Sequence, residues 1–330
     1  MNRLRVGVIG CGHMGRNHVR ILSEEFCFEL VGIYDKSEKQ AEKISEQFHV
    51  KAFKTPEELL EEIEAVVIAV PSSLHREMAF LAAEYHVHTL VEKPVALNVP
   101  DAELIVNKFR EGNLKLAVGH VERFNPVIAE LEKILNSAQV FFMEARRYSP
   151  FSGSGRITDT SVVEDLMVHD IDLVCALMEP YQVTDIRGNG EKICSNRTDF
   201  ATCMLDFGEN AHAVINASRV SQNKERSLTV HTQDSCIYAD LLTKTLSISR
   251  NTNIIVDGLN ANFYTQDSVV QKIFVPSKEP LREELLSLYD SIVQDKPVKV
   301  DGEAGLGAVK ICEEVVRRID SRKAIQEEKR

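Results

Sequence analysis

Short apolar runs alternate with helical patterns along the first third of the chain. The run Ala65–Val70 is almost continuously apolar, which is typical of a parallel strand buried on both faces. The other predicted strands of this region are Leu4–Ile9, Phe28–Tyr34, Lys51–Phe53, Val87–Val91 and Leu114–His120. Strands that alternate with helices in this way predict an α/β domain with a doubly wound parallel sheet, which we assign to residues 1–122.

A different pattern begins near residue 123. Predicted helices cover Pro126–Leu135, Val162–Met178, Pro280–Gln294 and Glu303–Ile319, and Ser149–Gly155 has the composition of a loop. The predicted strands follow one another without intervening helices: Val140–Tyr148, 183–192, Phe200–Phe207, Ala211–Val220, Ser227–Thr232, Cys236–Asp240 and Thr245–Ser249. The pattern predicts an α+β domain over residues 123–330, with an open, mostly antiparallel sheet.

Three glycines follow the first strand with the spacing G-x-G-x-x-G. In this fingerprint Gly10 allows a tight turn, Gly12 leaves room for a pyrophosphate, and Gly15 lets the next helix pack against the strand. The helix opens at His13 and Met14, where free N–H groups attract a dianion. Its position between a strand and a helix makes this motif a predicted dinucleotide site.

An acidic residue ends the second predicted strand, about 20 residues after the last glycine, where a ribose-binding carboxylate is expected. Asp35 would accept hydrogen bonds from the ribose hydroxyls and repel a 2′-phosphate. NAD is therefore the expected cofactor and NADP the less favoured one, although the neighbouring Lys36 tempers the repulsion.

The carboxyl ends of the predicted strands carry polar residues and prolines. In a doubly wound sheet these ends meet at one crevice, where ligands bind. Val70 and Pro71 follow one strand, and Glu92-Lys93-Pro94 follows the next. An X–Pro bond adopts the cis form at modest cost, which would turn Lys93 into the cleft to hydrogen-bond a substrate hydroxyl or help to remove its proton. The alternative is a solvated lysine in a turn.

The predicted helix Val162–Met178 carries the second candidate group. Asp165, His169 and Asp172 are spaced i, i+4 and i+7, so they share one face of an otherwise apolar helix. A histidine held by an aspartate one turn away suits proton transfer near neutral pH. The alternative is an Asp–His hydrogen bond that serves packing only. No second histidine has ligand spacing, and we predict no metal.

Groups suited to an anionic or hydroxylated substrate lie around the predicted domain junction. Arg123 and Asn125 can recognise hydroxyl, amide or phosphate groups, and Arg146, Arg147 and Arg156 flank the Gly/Ser loop. Acidic residues balance these arginines, so ordinary surface or strand-pairing roles are the alternative.

Composition limits the function classes. The chain has 330 residues, a net charge of −11 and 44% hydrophobic residues, and it contains neither a basic run nor an apolar run as long as a membrane span. We therefore predict a cytoplasmic globular protein that binds neither nucleic acid nor membranes. The seven cysteines are scattered without C-x-x-C pairs, which favours neither zinc nor a disulfide framework.

The chain resembles the Gfo/Idh/MocA family of NAD(P)-dependent oxidoreductases over essentially its whole length. The resemblance rests on V-G-V-I-G-C-G-x-M-G (6–15), A-V-P-S-S-L-H (69–75), E-K-P (92–94) and D-L-M-V-H-D-I-D (165–172). It implies a Rossmann domain followed by an open-sheet domain that often forms oligomers. It further implies that Lys93 and His169 are the catalytic pair and that Asp165 lies at the substrate. The cofactor site would also include Val70, Pro71, His75, Glu92 and Lys93.

Within the family, residues 118–126 and 162–172 resemble the branch that oxidises the C3 hydroxyl of UDP-N-acetylglucosamine for lipid A precursors. That branch implies a nucleotide-sugar substrate bound near Arg123, Asn125 and Arg147, and an aminotransferase as pathway partner. Many relatives have glycines before the aspartate, where this chain has Val162-Val163-Glu164. Two alternatives to a nucleotide-sugar dehydrogenase stay open. One is a dehydrogenase of free polyols or aldoses such as inositol, and the other is a non-catalytic NAD-binding regulator. We expect a homodimer or homotetramer, because an open sheet needs cover.

Overall fold

The computed structural model describes residues 3–135, 139–151, 160–208, 211–251, 255–256, 264–265 and 268–328. Arg156 and most of the predicted Gly/Ser loop lie outside these ranges. The chain forms two compact units: one runs to Phe124 and includes Glu279–Glu313, and the other holds Asn125–Lys278 and the residues from Glu314 onward.

The first unit contains a six-stranded parallel sheet with helices between its strands. The strands are β1 (Leu4–Ile9), β2 (Phe28–Tyr34), β3 (Lys51–Ala52), β4 (Ala65–Ile68), β5 (His88–Glu92) and β6 (Leu116–Gly119). The helices are α1 (His13–Glu24), α2 (Glu38–Phe48), α3 (Pro56–Leu60), α4 (His75–Glu84) and α5 (Val99–Glu111), with 3-10 turns at Ser72–Leu74 and Val121–Phe124.

The sheet order β3-β2-β1-β4-β5-β6 is that of the doubly wound dinucleotide-binding fold. The order reverses between β1 and β4, and the crevice for a ligand opens there, at the carboxyl ends of the strands. Every residue of β4 is buried, as its continuous apolar run predicts. Local signals are also confirmed: the Thr55 hydroxyl caps α3 by accepting from the Glu58 N–H at 3.2 Å, with Pro56 in the first turn.

The second unit is built on a mixed sheet. Its helices are α6 (Pro126–Leu135) and α7 (Val168–Leu177), with a π turn at Val163–Met167. Its longer strands are β7 (Val140–Pro150), β8 (Asp185–Glu191), β9 (Phe200–Asp206), β10 (His212–Ser221), β11 (Glu225–Thr232), β12 (Cys236–Asp240) and β13 (Thr245–Asn251). The pair β14 (Ile255–Val256) and β15 (Tyr264–Thr265) precedes β16 (Ser268–Ile273). In the described residues eight of these strands form one sheet in the order β16-β13-β12-β11-β7-β10-β9-β8. The sheet is antiparallel except for the pair β7 and β10.

The C-terminal helices divide differently from the predicted domains. Helix α8 (Pro280–Val293) and the start of α9 (Gly302–Glu328) belong to the first unit, although we predicted residues 123–330 as one domain. The physical reason is the burial of apolar side chains, because Leu281, Leu285 and Leu288 of α8 pack into the core on one face of the parallel sheet. Helix α9 also continues beyond Ile319, the predicted end of the last helix.

None of the helices in the described part of the chain combines the length and apolar character that crossing a membrane requires.

Candidate active site

The glycine turn of the first unit has the geometry that each glycine predicts. Gly10 has a φ of +95°, and a Cβ there would lie 2.6 Å from backbone atoms of Ala69. A Cβ on Gly15 would lie 1.8 Å from the Gly10 carbonyl oxygen, so only glycine lets α1 approach the turn. A Cβ on Gly12 would meet nothing within 4 Å. The turn therefore leaves open space beside Gly12, where a pyrophosphate fits.

Helix α1 begins at His13 without a side-chain cap, and Gly12 is its N-cap residue. The N–H groups of the first turn have no intrahelical acceptor, and the helix dipole adds positive potential there. Gly12 and His13 are exposed and Met14 is half-buried, so the helix end is accessible to a ligand. These residues fit a bound dinucleotide, with its phosphates at the helix end.

Asp35 holds the glycine turn in place. Its carboxylate accepts from the Cys11 N–H at 2.7 Å and from the Ser37 N–H at 2.8 Å. Gln40 donates from its side chain to the Cys11 carbonyl at 2.6 Å, a support that the sequence pattern did not reveal. The carboxylate therefore lies at the turn with a fixed orientation, and each oxygen keeps a second lone pair for a ribose hydroxyl.

His75 joins the ends of β4 and β5. Its Nδ1 lies 2.8 Å from the Pro94 carbonyl oxygen and its Nε2 3.1 Å from that of Val70. Burial lowers the pKa of His75, despite the hydrogen bonds to these carbonyls. His75 therefore lies between the two loops at the crevice edge, and its neutral form donates to one of the two carbonyls, while Val70 is half-buried and Pro71 exposed.

Glu92 and Lys93 end β5 at the same edge. The Lys93–Pro94 peptide bond is cis and the Lys93 side chain is half-buried. Glu92 is buried, and its Oε1 lies 2.8 Å from Nε2 of His18. Gly119 on β6 makes room for this carboxylate, because a Cβ there would lie 2.9 Å from Glu92 Oε2. His18 was missed by the sequence pattern, since 74 residues separate it from Glu92.

In the second unit the segment that carries Asp165 and His169 is not one regular helix. A π turn covers Val163–Met167, and α7 then continues to Leu177, whereas the pattern predicted a helix over Val162–Met178. Wide turns of this kind occur often at functional sites. The turn changes the angular spacing that we predicted for the stripe: Asp165 and His169 are half-buried, whereas Asp172 is buried.

Ser161 and Glu164 close the start of the π turn. The Glu164 carboxylate accepts from the Ser161 N–H at 2.8 Å, and the Ser161 hydroxyl accepts from the Glu164 N–H at 3.5 Å. This is a capping box, and the S-x-x-E spacing in the sequence is its signal, which we did not use. Glu164 therefore has a structural role at the start of the π turn.

A buried ion pair anchors α7 to the sheet. Arg147 on β7 donates from Nε and Nη2 to the two oxygens of Asp170, both at 2.8 Å. Arg147 is 1% exposed and Asp170 2% exposed. Asp170 directly follows His169, so the pair fixes the start of the helix that carries the histidine. Contact of Arg147 with a substrate stays a prediction, and its observed partner gives it a positioning role.

A second buried pair holds the chain just before the π turn. Arg219 on β10 donates to Asp199 at 2.8 Å, to the Thr160 carbonyl at 2.9 Å and to the Ser195 hydroxyl at 3.0 Å. Burial acts to raise the pKa of Asp199, but hydrogen bonds from Ser195, backbone N–H groups and Arg219 hold it well below its ordinary value. No local sequence signal connects these residues.

The remaining predicted residues lie near residue 124, where the two units divide. Arg123 is 8% exposed and Asn125 is 3% exposed. Asn125 donates to the Leu241 carbonyl at 3.2 Å and accepts from the Val127 N–H at 3.1 Å, so it caps α6 and ties it to the second unit's sheet. Their contact with a substrate stays a prediction, as does the joint action of Lys93 with His169. Across the described residues no cluster of three or more His, Cys, Asp or Glu side chains has the arrangement of a metal site.

Comparison with known proteins agrees with this geometry. Residues 4–120 match the model of an oxidoreductase family with an NAD-binding Rossmann fold, and residues 136–237 match the C-terminal domain of the same family. The chain is 31% identical over 305 residues to a UDP-N-acetylglucosamine 3-dehydrogenase of Acidithiobacillus ferrooxidans, covering 92% of this chain and 94% of the relative. The chain belongs to the Gfo/Idh/MocA family.

Solved structures extend the likeness to the whole fold. A structure of that Acidithiobacillus ferrooxidans dehydrogenase matches with a TM-score of 0.88 and 29% identity, over 97% of this chain and 99% of the other. A myo-inositol 2-dehydrogenase of Thermotoga maritima is 22% identical over 98% of both chains. The protein is thus an oxidoreductase with an NAD(P)-binding Rossmann unit, and the predicted family and fold class are confirmed.

Substitutions in the glycine turn should separate cofactor binding from stability. The structure has space for a methyl group at Gly12, so Gly12→Ala should leave the free energy of unfolding within about 0.5 kcal/mol of wild type. The methyl group would occupy the space for the pyrophosphate, and we expect the Kd for NAD⁺ to rise about 10- to 100-fold. Thermal unfolding without cofactor and calorimetric titration with NAD⁺ measure the two effects.

Gly15→Ala is the matched comparison. Its Cβ would collide with the Gly10 carbonyl, so it should lower the free energy of unfolding by about 1–3 kcal/mol or more. If Gly12→Ala binds NAD⁺ as wild type does, the pyrophosphate does not lie at this turn.

Proposed function

We propose that the protein oxidises a ring hydroxyl of a sugar nucleotide to a ketone, at C3 of UDP-N-acetylglucosamine, with NAD⁺ as the hydride acceptor. The observation that carries this proposal is the 31% identity to a UDP-N-acetylglucosamine 3-dehydrogenase over 92% of the chain. The matching fold, with a TM-score of 0.88 to the same enzyme, supports it.

The proposed chemistry uses the three residues predicted to be catalytic. His169 takes the hydroxyl proton, Lys93 polarises the same oxygen, and Asp165 orients the histidine or the substrate. The opposite assignment, with Lys93 as the base, fits the same residues. NAD⁺ supplies an acceptor for the hydride that leaves the sugar carbon with its electron pair. Arg123, Asn125 and Arg147 are the proposed contacts or supports of the nucleotide sugar.

NAD is the proposed cofactor rather than NADP. Asp35 places a carboxylate at the glycine turn, and a 2′-phosphate near it would suffer like-charge repulsion. We expect NAD⁺ to bind at least about tenfold more tightly than NADP⁺, a difference of ~1.4 kcal/mol.

Asp35→Asn should reduce the ratio of the Kd for NADP⁺ to the Kd for NAD⁺, because the amide keeps an acceptor oxygen and removes the negative charge. Titration of both cofactors against wild type and variant measures the ratio. Glu38→Gln removes an exposed carboxylate from the first turn of α2 and serves as the control. If wild type and Asp35→Asn had the same ratio of Kd values for the two cofactors, groups other than Asp35 would select the cofactor.

A dehydrogenase of free polyols is the second candidate. The likeness to a myo-inositol 2-dehydrogenase at 22% identity over 98% of the chain favours it. Absorbance at 340 nm, recorded with NAD⁺ and a panel of UDP-sugars, free aldoses and inositols, distinguishes the two. A nucleotide-sugar site predicts turnover of the UDP-sugar and inhibition by UDP. Turnover of inositol without UDP inhibition would support the second candidate. A non-catalytic regulator would be favoured if no member raised the absorbance at 340 nm and none formed a keto product when 2-oxoglutarate was added to reoxidise retained NADH.

The proposal includes the context of the reaction. A 3-keto sugar nucleotide is a substrate for an aminotransferase, which we propose as the pathway partner, in the cytoplasm, where we expect the enzyme to act. We also propose a homodimer or homotetramer. Exposed apolar side chains on the second unit's sheet, including Phe141, Tyr238 and Val270, support an interface there.

A further inference from the structure

A buried carboxyl group of α8 has no role in the chemistry described so far. Glu284 is 3% exposed, and neither of its carboxyl oxygens has a hydrogen-bond partner among the residues that the structure describes. A buried polar group without such a partner destabilises the folded state, so its presence beside a ligand site makes it a functional candidate.

Glu284 lies next to the acidic end of β5. Glu92 acts electrostatically on Glu284, and its own carboxylate bonds His18 at 2.8 Å. All three residues are buried and belong to the first unit, where His18 lies on α1 three residues after Gly15, the last glycine of the motif. Lys93 follows Glu92 directly. The cluster of His18, Glu92 and Glu284 therefore adjoins the strand end that carries the proposed catalytic lysine.

The two carboxyl groups have opposite preferences for a proton. Burial acts to raise the pKa of Glu92, but the hydrogen bond and charge of His18 and the charge of Lys93 bring it below the ordinary value. Burial raises the pKa of Glu284 well above its ordinary value, and the negative charge of Glu92 raises it further. Glu92 is thus the member of the cluster that favours the ionised form, and Glu284 is the member that favours the protonated form.

Other charged groups also lie on the elements that pack against α8. Helix α8 packs against α1 and against the turn Val121–Phe124. The titratable or charged residues on these elements and at the end of β5 are His13, Arg16, His18, Arg20, Glu24, Glu92, Lys93, Glu122 and Arg123. Near the protein surface, Arg20 forms an ion pair with Glu279, and Glu24 forms an ion pair with Arg282. Of all these groups, Glu92 is the one that acts on the pKa of Glu284.

We infer that Glu284, buried on α8 beside the Glu92–His18 pair, releases its proton when NAD⁺ binds and retains it when NADH binds. The inference rests on the proposed function, because it needs the nicotinamide ring at the carboxyl ends of β4 and β5. The oxidised ring carries a positive charge, and the reduced ring carries none. A cation near the cluster stabilises a second carboxylate, whose proton leaves the Glu284 oxygen for solvent. Glu284 is therefore a positioning residue that adjusts the charge behind Lys93 to the redox state of the cofactor.

Proton release can be counted directly. Calorimetric titrations of NAD⁺ and NADH in phosphate and in Tris, at one pH between 7 and 8, give the protons released per cofactor bound. We expect wild type to release up to about one more proton with NAD⁺ than with NADH, and Glu284→Gln to lose that difference. Glu283→Gln, which removes the neighbouring and partly exposed carboxylate, should behave as wild type.

The same linkage predicts a pH dependence of affinity. Where one proton is released, the wild-type Kd for NAD⁺ should fall up to about tenfold for each pH unit, and the fall should be smaller in Glu284→Gln. The Kd for NADH should follow the same pH dependence in both proteins. Equal proton counts for NAD⁺ binding to wild type and Glu284→Gln would overturn the inference. Failure of wild type to bind NAD⁺ would instead overturn the proposed function.

Thermal unfolding tests the buried proton itself. Above the ordinary Glu pKa of 4.5 the unfolded chain releases the Glu284 proton and the folded chain keeps it, so wild-type stability falls as pH rises toward the folded pKa. Glutamine does not titrate, and the midpoint of Glu284→Gln should exceed that of wild type by a margin that grows from pH 5 to pH 7. A margin that does not grow with pH would contradict a protonated Glu284.

If Glu284→Gln does not fold, an infrared difference spectrum of wild type serves instead. Addition of NAD⁺ should remove a protonated-carboxyl stretching band that NADH leaves in place, and an unchanged band would overturn the inference.

Discussion

Replacing Lys93 by alanine is expected to lower kcat/KM about 10²- to 10⁴-fold, the usual contribution of a positioned proton-transfer group. The lysine follows β5 at the crevice edge and is half-buried, and the proposed function assigns its ammonium group to a substrate hydroxyl. His169→Ala should produce a loss of the same order, because the proposed mechanism needs both groups around one oxygen. Initial rates at 340 nm with UDP-N-acetylglucosamine and NAD⁺ measure both effects.

Two controls separate this loss from general damage. Lys39→Ala removes an exposed lysine from α2 and should keep wild-type kinetics. Calorimetric titration should show that Lys93→Ala still binds NAD⁺ within a few fold, because the predicted pyrophosphate site is at the glycine turn. The mechanism is wrong if Lys93→Ala and His169→Ala both retain kcat/KM within a few fold of wild type.

Replacing Arg147 by methionine is expected to lower the free energy of unfolding by about 3–5 kcal/mol. The change leaves Asp170 buried, at 2% exposure, without the guanidinium that bonds both of its oxygens. Most of the loss is the penalty for an uncompensated buried charge. For that reason Arg147→Met with Asp170→Leu should be less destabilising than the sum of the two single changes. Denaturant unfolding of the four proteins gives the coupling energy.

The neighbouring arginine provides the matched control. Arg146 is exposed and pairs with Glu144, so Arg146→Met should change the free energy of unfolding by no more than about 1 kcal/mol. If Arg147→Met raised KM for the sugar nucleotide and left stability unchanged, Arg147 would be a substrate ligand, and the positioning role would be wrong.

The fold of the first unit follows from local patterns. The apolar run of β4, the spacing of the three glycines and the Thr55 cap each depend on residues close in sequence, and each is present as expected. The membership of α8 was not predictable in this way. Its stripe of Leu281, Leu285 and Leu288 predicts an amphipathic helix, but amphipathic spacing does not say which core the stripe enters.

The candidate site shows the same division. Gly10, Gly12 and Gly15 could be given their roles because a backbone turn imposes strict steric limits. The partners of three buried carboxylates could not be predicted, because each partner is distant in sequence. These pairs are Glu92 with His18, Asp170 with Arg147, and Asp199 with Arg219. The π turn was missed for another reason. Apolar residues around Asp165 satisfy a regular helical pattern, and the S-x-x-E capping box is the only local mark of the change.

The central claim is that a hydride leaves C3 of a UDP-sugar for NAD⁺ on this chain. UDP-N-acetylglucosamine with deuterium on C3, mixed with NAD⁺ and a stoichiometric amount of enzyme, tests it even if the cofactor is not released. The account predicts that the reduced cofactor recovered after denaturation is one mass unit heavier than NADH and that the sugar has lost its deuterium. Recovery of unlabelled NADH, or of NAD⁺ with fully labelled sugar, would contradict it.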